Sequence, residues 1–380
     1  MASGTALKHL PTILLTVALA VACIACFLVA FTTKAPEQQN RSDSYTVNIT
    51  IPELGTLEGR HIHGAIQFYG VPYADQPERF KHAGFPPLPW GHRPAYVPET
   101  SAPICWGGTY GRVDGWVPGN QGEDNELDTQ MHDEKCLYMQ ISIPERVLMD
   151  PEFDEQLPVF VYSHGGNFHS GSSTMPLYEG RYLASIGDII VISVNYRMDV
   201  FGFLPVADVW NKDKNGNDKE SVGNFGLTDQ QVALHFINKY ISAFGGDNTR
   251  VTVAGQSAGS ESAYLNMLAS DSPHQEWYQR VMLMSIPSLP YLTAQQGYDN
   301  VMMAVWKEAW ERWHESDVYG SVCNKNPDDF GIRDPLPSND VMNECLYALE
   351  DRDLWNTAQG ARGRFKDYKF IADRGEWVKN

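Results

Sequence analysis

Residues 255–259 read Gly255-Gln256-Ser257-Ala258-Gly259, a serine held between two glycines at the G-x-S-x-G spacing. A serine at a sharp strand-to-helix turn presents its hydroxyl outward, and the glycines let strand and helix approach closely. The chemistry this suits is attack on a carbonyl, provided a base takes the hydroxyl proton. A second stretch, "YSHGGNFHSGSS" at 162–173, is a Gly-rich loop able to turn backbone N–H groups toward the oxyanion that such an attack creates. With 32 glycines in the chain, a short motif of this kind also arises by chance. An ordinary strand-to-helix turn would account for the Gly-rich loop alone. Two motifs, each after its own strand, are harder to attribute to accident, so the elements around them carry the weight.

Those elements alternate. "PVFVYS" (158–163) and "DIIVISVN" (188–195) are short apolar runs of the kind found in buried strands. Thr228 and Gln231 have capping-box spacing at the head of a helix that Gly245-Gly246 stops. Val232, Phe236, Ile237, Tyr240, Ile241 and Phe244 recur at helical intervals as its buried stripe. "VTVA" (251–254) leads into Ser257, a helical segment follows, and "VMLMSI" (281–286) reads as another strand. This alternation predicts an α/β fold with a mostly parallel central sheet and helices on both faces. Segments 295–316 and 340–358 also read as helices, and the aromatic run "VMMAVWKEAWERW" reads as core rather than as a cofactor contact.

The chain has 380 residues, 43% of them hydrophobic, and a formal net charge of −18. That charge argues against a nucleic-acid partner and leaves a cationic substrate open. "PTILLTVALAVACIACFLVAF", starting at Pro11, is long enough to span a bilayer and longer than a usual cleaved signal. The expected organisation is therefore a cytoplasmic stub (1–10), a transmembrane signal anchor (11–33), a polar stalk (34–45) and a folded body (46–380). The alternative is a cleaved signal and a secreted protein. Lys8, Lys34 and Arg41 do not settle the orientation by charge. The sequons at Asn40 and Asn48 are meaningful only on the lumenal side. Cys23 and Cys26 lie in the apolar run, and Cys105, Cys136, Cys323 and Cys345 remain, an even set that suits an oxidising compartment and allows three pairings. The body is thus expected to be extracellular or lumenal. Asp213, Asn215 and Asn217 imitate the start of a calcium loop, but Asp218 and Asn224 stand where its glycine and glutamate belong, so no metal is predicted. The acidic run at 122–128 reads as a solvated loop.

The stretches "YGVPYA" (69–74), "EKCLYMQ" (134–140), "HGGNFHSGSS" (164–173), "VNYRMDVFGFL" (194–204), "GNFGLTDQQVAL" (223–234), "FGGDNTRVTVAGQSAGS" (244–260) and "ECLYALEDRDL" (344–354) together resemble the type-B carboxylesterase and cholinesterase family of α/β-hydrolases, in the family's order. The resemblance implies the α/β-hydrolase fold, an ester substrate and no cofactor. It makes Ser257 the nucleophile and the N–H groups of Gly166, Asn167 and Ala258 the oxyanion hole. It also implies Cys105–Cys136 and Cys323–Cys345 disulfides, an Arg79–Glu134 ion pair and a structural Arg197.

Three departures stand out. Asn167 replaces a glycine, and its side chain is expected to crowd the acyl side of the pocket and favour short acyl groups. Gln256 replaces the acidic residue that cholinesterases carry before the serine. The nearest candidate for their cation-binding tryptophan is Trp116, out of place, which favours a general carboxylesterase over choline-ester specificity. The resemblance also places the triad acid and histidine, and the last sheet strands, beyond Asn380, so that Glu376 is not the acid and the chain reads as an incomplete, inactive copy. None of His164, His169, His274 and His314 has the context of a catalytic base. The family also includes membrane-tethered adhesion proteins whose hydrolase domain binds partners and typically lacks the serine. Ser257 favours the enzyme, and the N-terminal apolar run keeps the adhesion reading open.

Overall fold

The apolar runs of the sequence become the middle of one sheet. The computed structural model describes residues 45–94, 103–107, 132–205, 223–269, 276–287, 292, 294–327 and 339–362. The stub, the expected span and Asn40 lie outside these residues, as do nearly all of the stalk, Trp116, the runs 122–128 and 213–221, His274 and Glu376. The chain divides into two units, Met1–Ser44 and Tyr45–Asn380, and every described residue belongs to the second. Among the described residues no helix is long and apolar enough to cross a membrane.

Strands β1 (Thr46–Ile51), β2 (Gly55–Ile62) and β3 (Ala65–Pro72) form an antiparallel meander, with the short β4 (Gly91–Arg93) parallel to β2. β5 (Ile104–Cys105) and β6 (His132–Asp133) pair separately. β7 (Tyr138–Pro144) lies antiparallel against β3. β8 (Leu157–Ser163), β9 (Ile190–Val194), β10 (Gly246–Gln256) and β11 (Arg280–Met284) are mutually parallel, and β9 joins them antiparallel to β7. The spatial order is β1-β2-β3-β7-β9-β8-β10-β11. The sheet is therefore mixed, and its parallel part is the part that carries both chemical motifs.

The connections explain the layers. Helix α1 (Arg181–Gly187) links β8 to β9, α2 (Asp199–Phe203) follows β9, α3 (Phe225–Tyr240) leads on to β10, and α4 (Ala258–Leu268) links β10 to β11. The step from β8 to β9 runs one way across the sheet, and the steps to β10 and β11 run the other way. Right-handed crossovers in opposite directions put α1 on one face and α3 and α4 on the other. With both faces covered, β9 is buried along its whole length, as its apolar run requires. Helices α5 (Met303–Trp313), α6 (Asn339–Ala348) and α7 (Asp351–Ala361) follow, with Trp306 of α5 fully buried.

Helix α3 corrects one expectation. It starts at Phe225 rather than at a Thr228 cap, because the Thr228 hydroxyl donates to Phe225 O (2.9 Å) inside the first turn. Its stripe is as expected: Phe236, Ile237, Tyr240, Ile241 and Phe244 are buried and Val232 is partly so. A 3-10 turn, Ile241–Phe244, continues the helix, and Gly245 ends that turn at φ 78°, a left-handed angle that glycine adopts without strain.

Cys105 is bonded to Cys136 and Cys323 to Cys345. Arg79 donates from Nε to Glu134 (2.8 Å) and from Nη1 to the carbonyls of Leu346 and Leu349 (both 2.7 Å), so this ion pair also stitches the N-terminal part to the α6–α7 junction. Arg197 is structural: Nε and Nη2 donate to the two oxygens of Asp229 (2.8 and 2.7 Å), both residues buried.

Candidate active site

Strands β8 and β10 are neighbours, and their parallel register pairs Ser163 with Gly255. That pairing brings the two motifs together, since the Gly-rich loop begins at His164 and the serine turn at Gln256. It also puts them at the carboxyl ends of strands where the chain reverses its direction of travel across the sheet, the place where open α/β sheets form binding crevices.

Ser257 is the pivot between β10 and α4, with φ 53° and ψ −123°. A non-glycine residue in such a conformation costs on the order of 1–3 kcal/mol and persists only where its surroundings enforce it. The enforcement is visible. Ser257 N donates to Met284 O at the end of β11 (3.0 Å), and Ser257 O accepts from Glu261 N (2.9 Å) and Ser260 Oγ (2.7 Å). The flanking glycines are needed for space: a Cβ on Gly255 would lie 2.2 Å from Gly259 O, and one on Gly259 would lie 2.0 Å from Ser163 O. Ser257 is half-buried, and it stands at the N-terminus of an eleven-residue helix whose first N–H groups, Ala258 among them, have no intrahelical acceptor.

The Gly-rich loop lies beside it. A Cβ on Gly165 would sit 3.2 Å from Ser257 Cβ. Two anchors fix the loop's peptide planes. His164 donates from Nδ1 to Gly165 O (2.8 Å), and Gly166 O accepts from His169 N (3.1 Å), Ser170 N (3.1 Å) and Ser170 Oγ (3.0 Å). In a trans peptide the N–H points opposite to the C=O, so these anchors aim the N–H groups of Gly166 and Asn167 away from the packed side of the loop. Gly166 has φ 117° and Asn167 φ 57°; asparagine tolerates the left-handed region better than most residues. Gly166 is half-buried and Asn167 and Gln256 are exposed, so all three border solvent.

His164 is not a base. Its ring is buried, stacked on Tyr196 at 4.5 Å, and burial pushes its pKa down to about 4. Its bond to a carbonyl fixes the Nδ1–H tautomer, and Nε2 meets no polar partner among the described residues. His314 donates from Nδ1 to Trp310 O (2.7 Å) at the end of α5. His169 lies close enough to Asp199 to help hold the pKa of that carboxyl down. Among the described residues none hydrogen-bonds the Ser257 hydroxyl.

Asp199 is a site element that sequence reasoning missed. It sits at φ 53°, its N–H donates to Phe168 O in the Gly-rich loop (2.7 Å), and its buried carboxylate accepts from Gln359 Nε2 (2.8 Å) and Arg362 Nη2 (2.7 Å). Burial raises its pKa, while Arg362 and Gln359 oppose that rise. Its partners lie 160 and 163 residues along the chain, so no local pattern could have announced it. A shallow cleft lined by Trp106 and residues 350–353 does not include Ser257 or the loop.

A model of the carboxylesterase family matches residues 43–331. The chain belongs to the carboxylesterase family. Among curated carboxylesterase-like relatives it is 34% identical to an acetylcholinesterase of Danio rerio over 64% of this chain and 36% of that protein. It is 35% identical to a cholinesterase of Mus musculus over 54% of this chain and 31% of that protein. Among solved structures it is similar to a thermophilic PNB esterase, with a TM-score of 0.62 and 25% identity, over 87% of this chain and 58% of that one. The chain thus spans about a third of the length of these curated relatives.

Proposed function

We propose that this carboxylesterase-family chain carries the nucleophile and oxyanion-binding half of a serine carboxylic-ester hydrolase. The observation that carries the reading is the Ser163–Gly255 pairing, which sets a strained, solvent-bordering serine against a loop whose amides are aimed by fixed carbonyls. Ser257 Oγ attacks the ester carbonyl, and the N–H groups of Gly166, Asn167 and Ala258 hold the oxyanion. The alcohol leaves, and water then releases the acid from the acyl-serine. Both half-reactions need a base, for which no described histidine is placed. Asn167, exposed at the rim, supports a preference for short acyl groups. Asn48 lies exposed on β1, as a glycan acceptor must, and this agrees with a lumenal or extracellular body behind an anchor at 11–33.

A fluorophosphonate probe on an active full-length form, in which a base serves Ser257, tests the assignment. Covalent labelling is expected at Ser257 and is expected to vanish in Ser257→Ala. Labelling that survives this substitution refutes it.

A further inference from the structure

The surface of α1 does not fit a helix that faces water alone. Ala184 packs inward, while Leu177 before the helix and Tyr182, Leu183 and Ile186 on it are exposed by 72%, 52%, 49% and 83%. Single exposed apolar residues are normal; four large ones within ten positions form a contiguous patch of the kind that marks a contact surface. Tyr182 and Ile186 are four apart and share a helix face, with Leu183 beside them. Arg181 lies over the Tyr182 ring (4.8 Å), and Arg146 pairs with Asp188 at the end of α1 (3.1 Å). An apolar centre with a tyrosine and arginines at its edge suits the interface between lipid tails and headgroups.

The position of this patch names its occupant. The described fold begins at Tyr45, whose ring stacks on His61 of β2 at 4.4 Å. His63, two residues further at the β2–β3 turn, stacks on Tyr182 at 6.3 Å, and a Cβ on Gly64 would touch Ser185 of α1 at 3.6 Å. With about 3.3 Å per strand residue, the rings of Tyr45 and Tyr182 lie within about 20 Å of one another. The described fold therefore begins at the corner that carries the patch. Residues 34–44 cannot reach further than about 40 Å even fully extended.

We propose that Leu177, Tyr182, Leu183 and Ile186 form a membrane-docking face, by which the folded unit rests on the bilayer that residues 11–33 enter. The inference rests on the anchor reading given above. The lipid it fits is zwitterionic, because the patch is apolar and a chain of net charge −18 gains nothing overall from an anionic surface.

The test uses the full chain with the photo-cross-linker p-benzoylphenylalanine at Ile186, reconstituted in phosphatidylcholine vesicles. The same probe at Val318, exposed on the segment after α5, is the control. Flotation reads the anchor, and the mass of the adduct reads docking. The expected result is flotation with at least tenfold more lipid adduct at 186 than at 318. Combining a probe at Tyr182 with Ile186→Glu should lower that probe's lipid yield several-fold while flotation persists. Flotation with equal yields at 186 and 318, or adducts at 186 to a second protein copy, overturns docking and leaves the anchor standing. A chain that stays with the soluble fraction overturns both.

Discussion

The two halves of the sheet use backbone strain differently. In the antiparallel half, Glu53 between β1 and β2 and His63 between β2 and β3 take positive φ in tight turns, and Phe80 does so in the connection after β3. In the parallel half one, Asp188, caps α1, and the rest stand past strand carboxyl ends: Asn167 and Phe168 after β8, Asp199 after β9, Ser257 after β10 and Ser285 after β11. A hairpin needs a left-handed residue only to reverse the chain. A parallel strand needs a long crossover anyway, so strain at its end is free to aim a group. The site therefore gathers where four strand ends share one edge, and the meander serves as support.

The sharpest way to break this contrast is steric. Gly259→Val adds a branched side chain where even a Cβ would lie 2.0 Å from Ser163 O, so strand and helix must part. A loss of about 3 kcal/mol or more in urea unfolding, with loss of probe labelling, is expected. Unchanged stability would mean that the close crossing is not real. Next comes Arg197→Met, which strands the buried Asp229 carboxylate and should cost about 3–5 kcal/mol. By contrast Lys239→Met, which breaks the exposed Lys239–Glu53 pair (3.2 Å) beside the meander, should cost under about 1 kcal/mol.

A pH series sharpens the role of His164. Its native pKa of about 4 lies below the ordinary 6.5, so the neutral ring contributes its full stability above pH 6.5 and loses it as the pH falls toward 4. The decline attributable to this residue is about 1.4 kcal/mol per pH unit across that window. His164→Asn should be less stable at pH 7 yet show a shallower acid slope; an unchanged slope would assign the acid sensitivity elsewhere. The smallest effects separate aiming from turning. Asn167→Gly and Glu53→Gly should each move stability by under about 1 kcal/mol. Only Asn167→Gly should change the ratio of short- to long-chain ester turnover, measured on an active full-length form.

Much of the parallel half is legible in the sequence, because buried strands must be apolar along their length and a serine turn must carry small neighbours. The runs at 158–163, 188–195 and 251–254 become β8, β9 and β10 for that reason. The meander reads only as a Gly- and Pro-bearing region with scattered strand-like runs, since hairpin pairing depends on cross-strand partners that one strand's composition does not name. The cap of α3 is Asn224 rather than Thr228, four residues earlier, because a threonine hydroxyl can cap a helix or bond back into its first turn, and only the backbone decides which.

By itself the sequence determined the family, through motifs that resemble it, and the serine turn, the Gly-rich loop and the alternation of strands and helices in the parallel half, through local residue size and hydrophobic spacing. Tertiary structure alone decided that Ser163 pairs with Gly255, that His164 and Ser170 set the tilt of the loop's peptides, and that Asp199 ties this loop to α7. Those choices depend on partners brought together by packing, and a hydrogen bond leaves no trace in the composition of either segment that makes it.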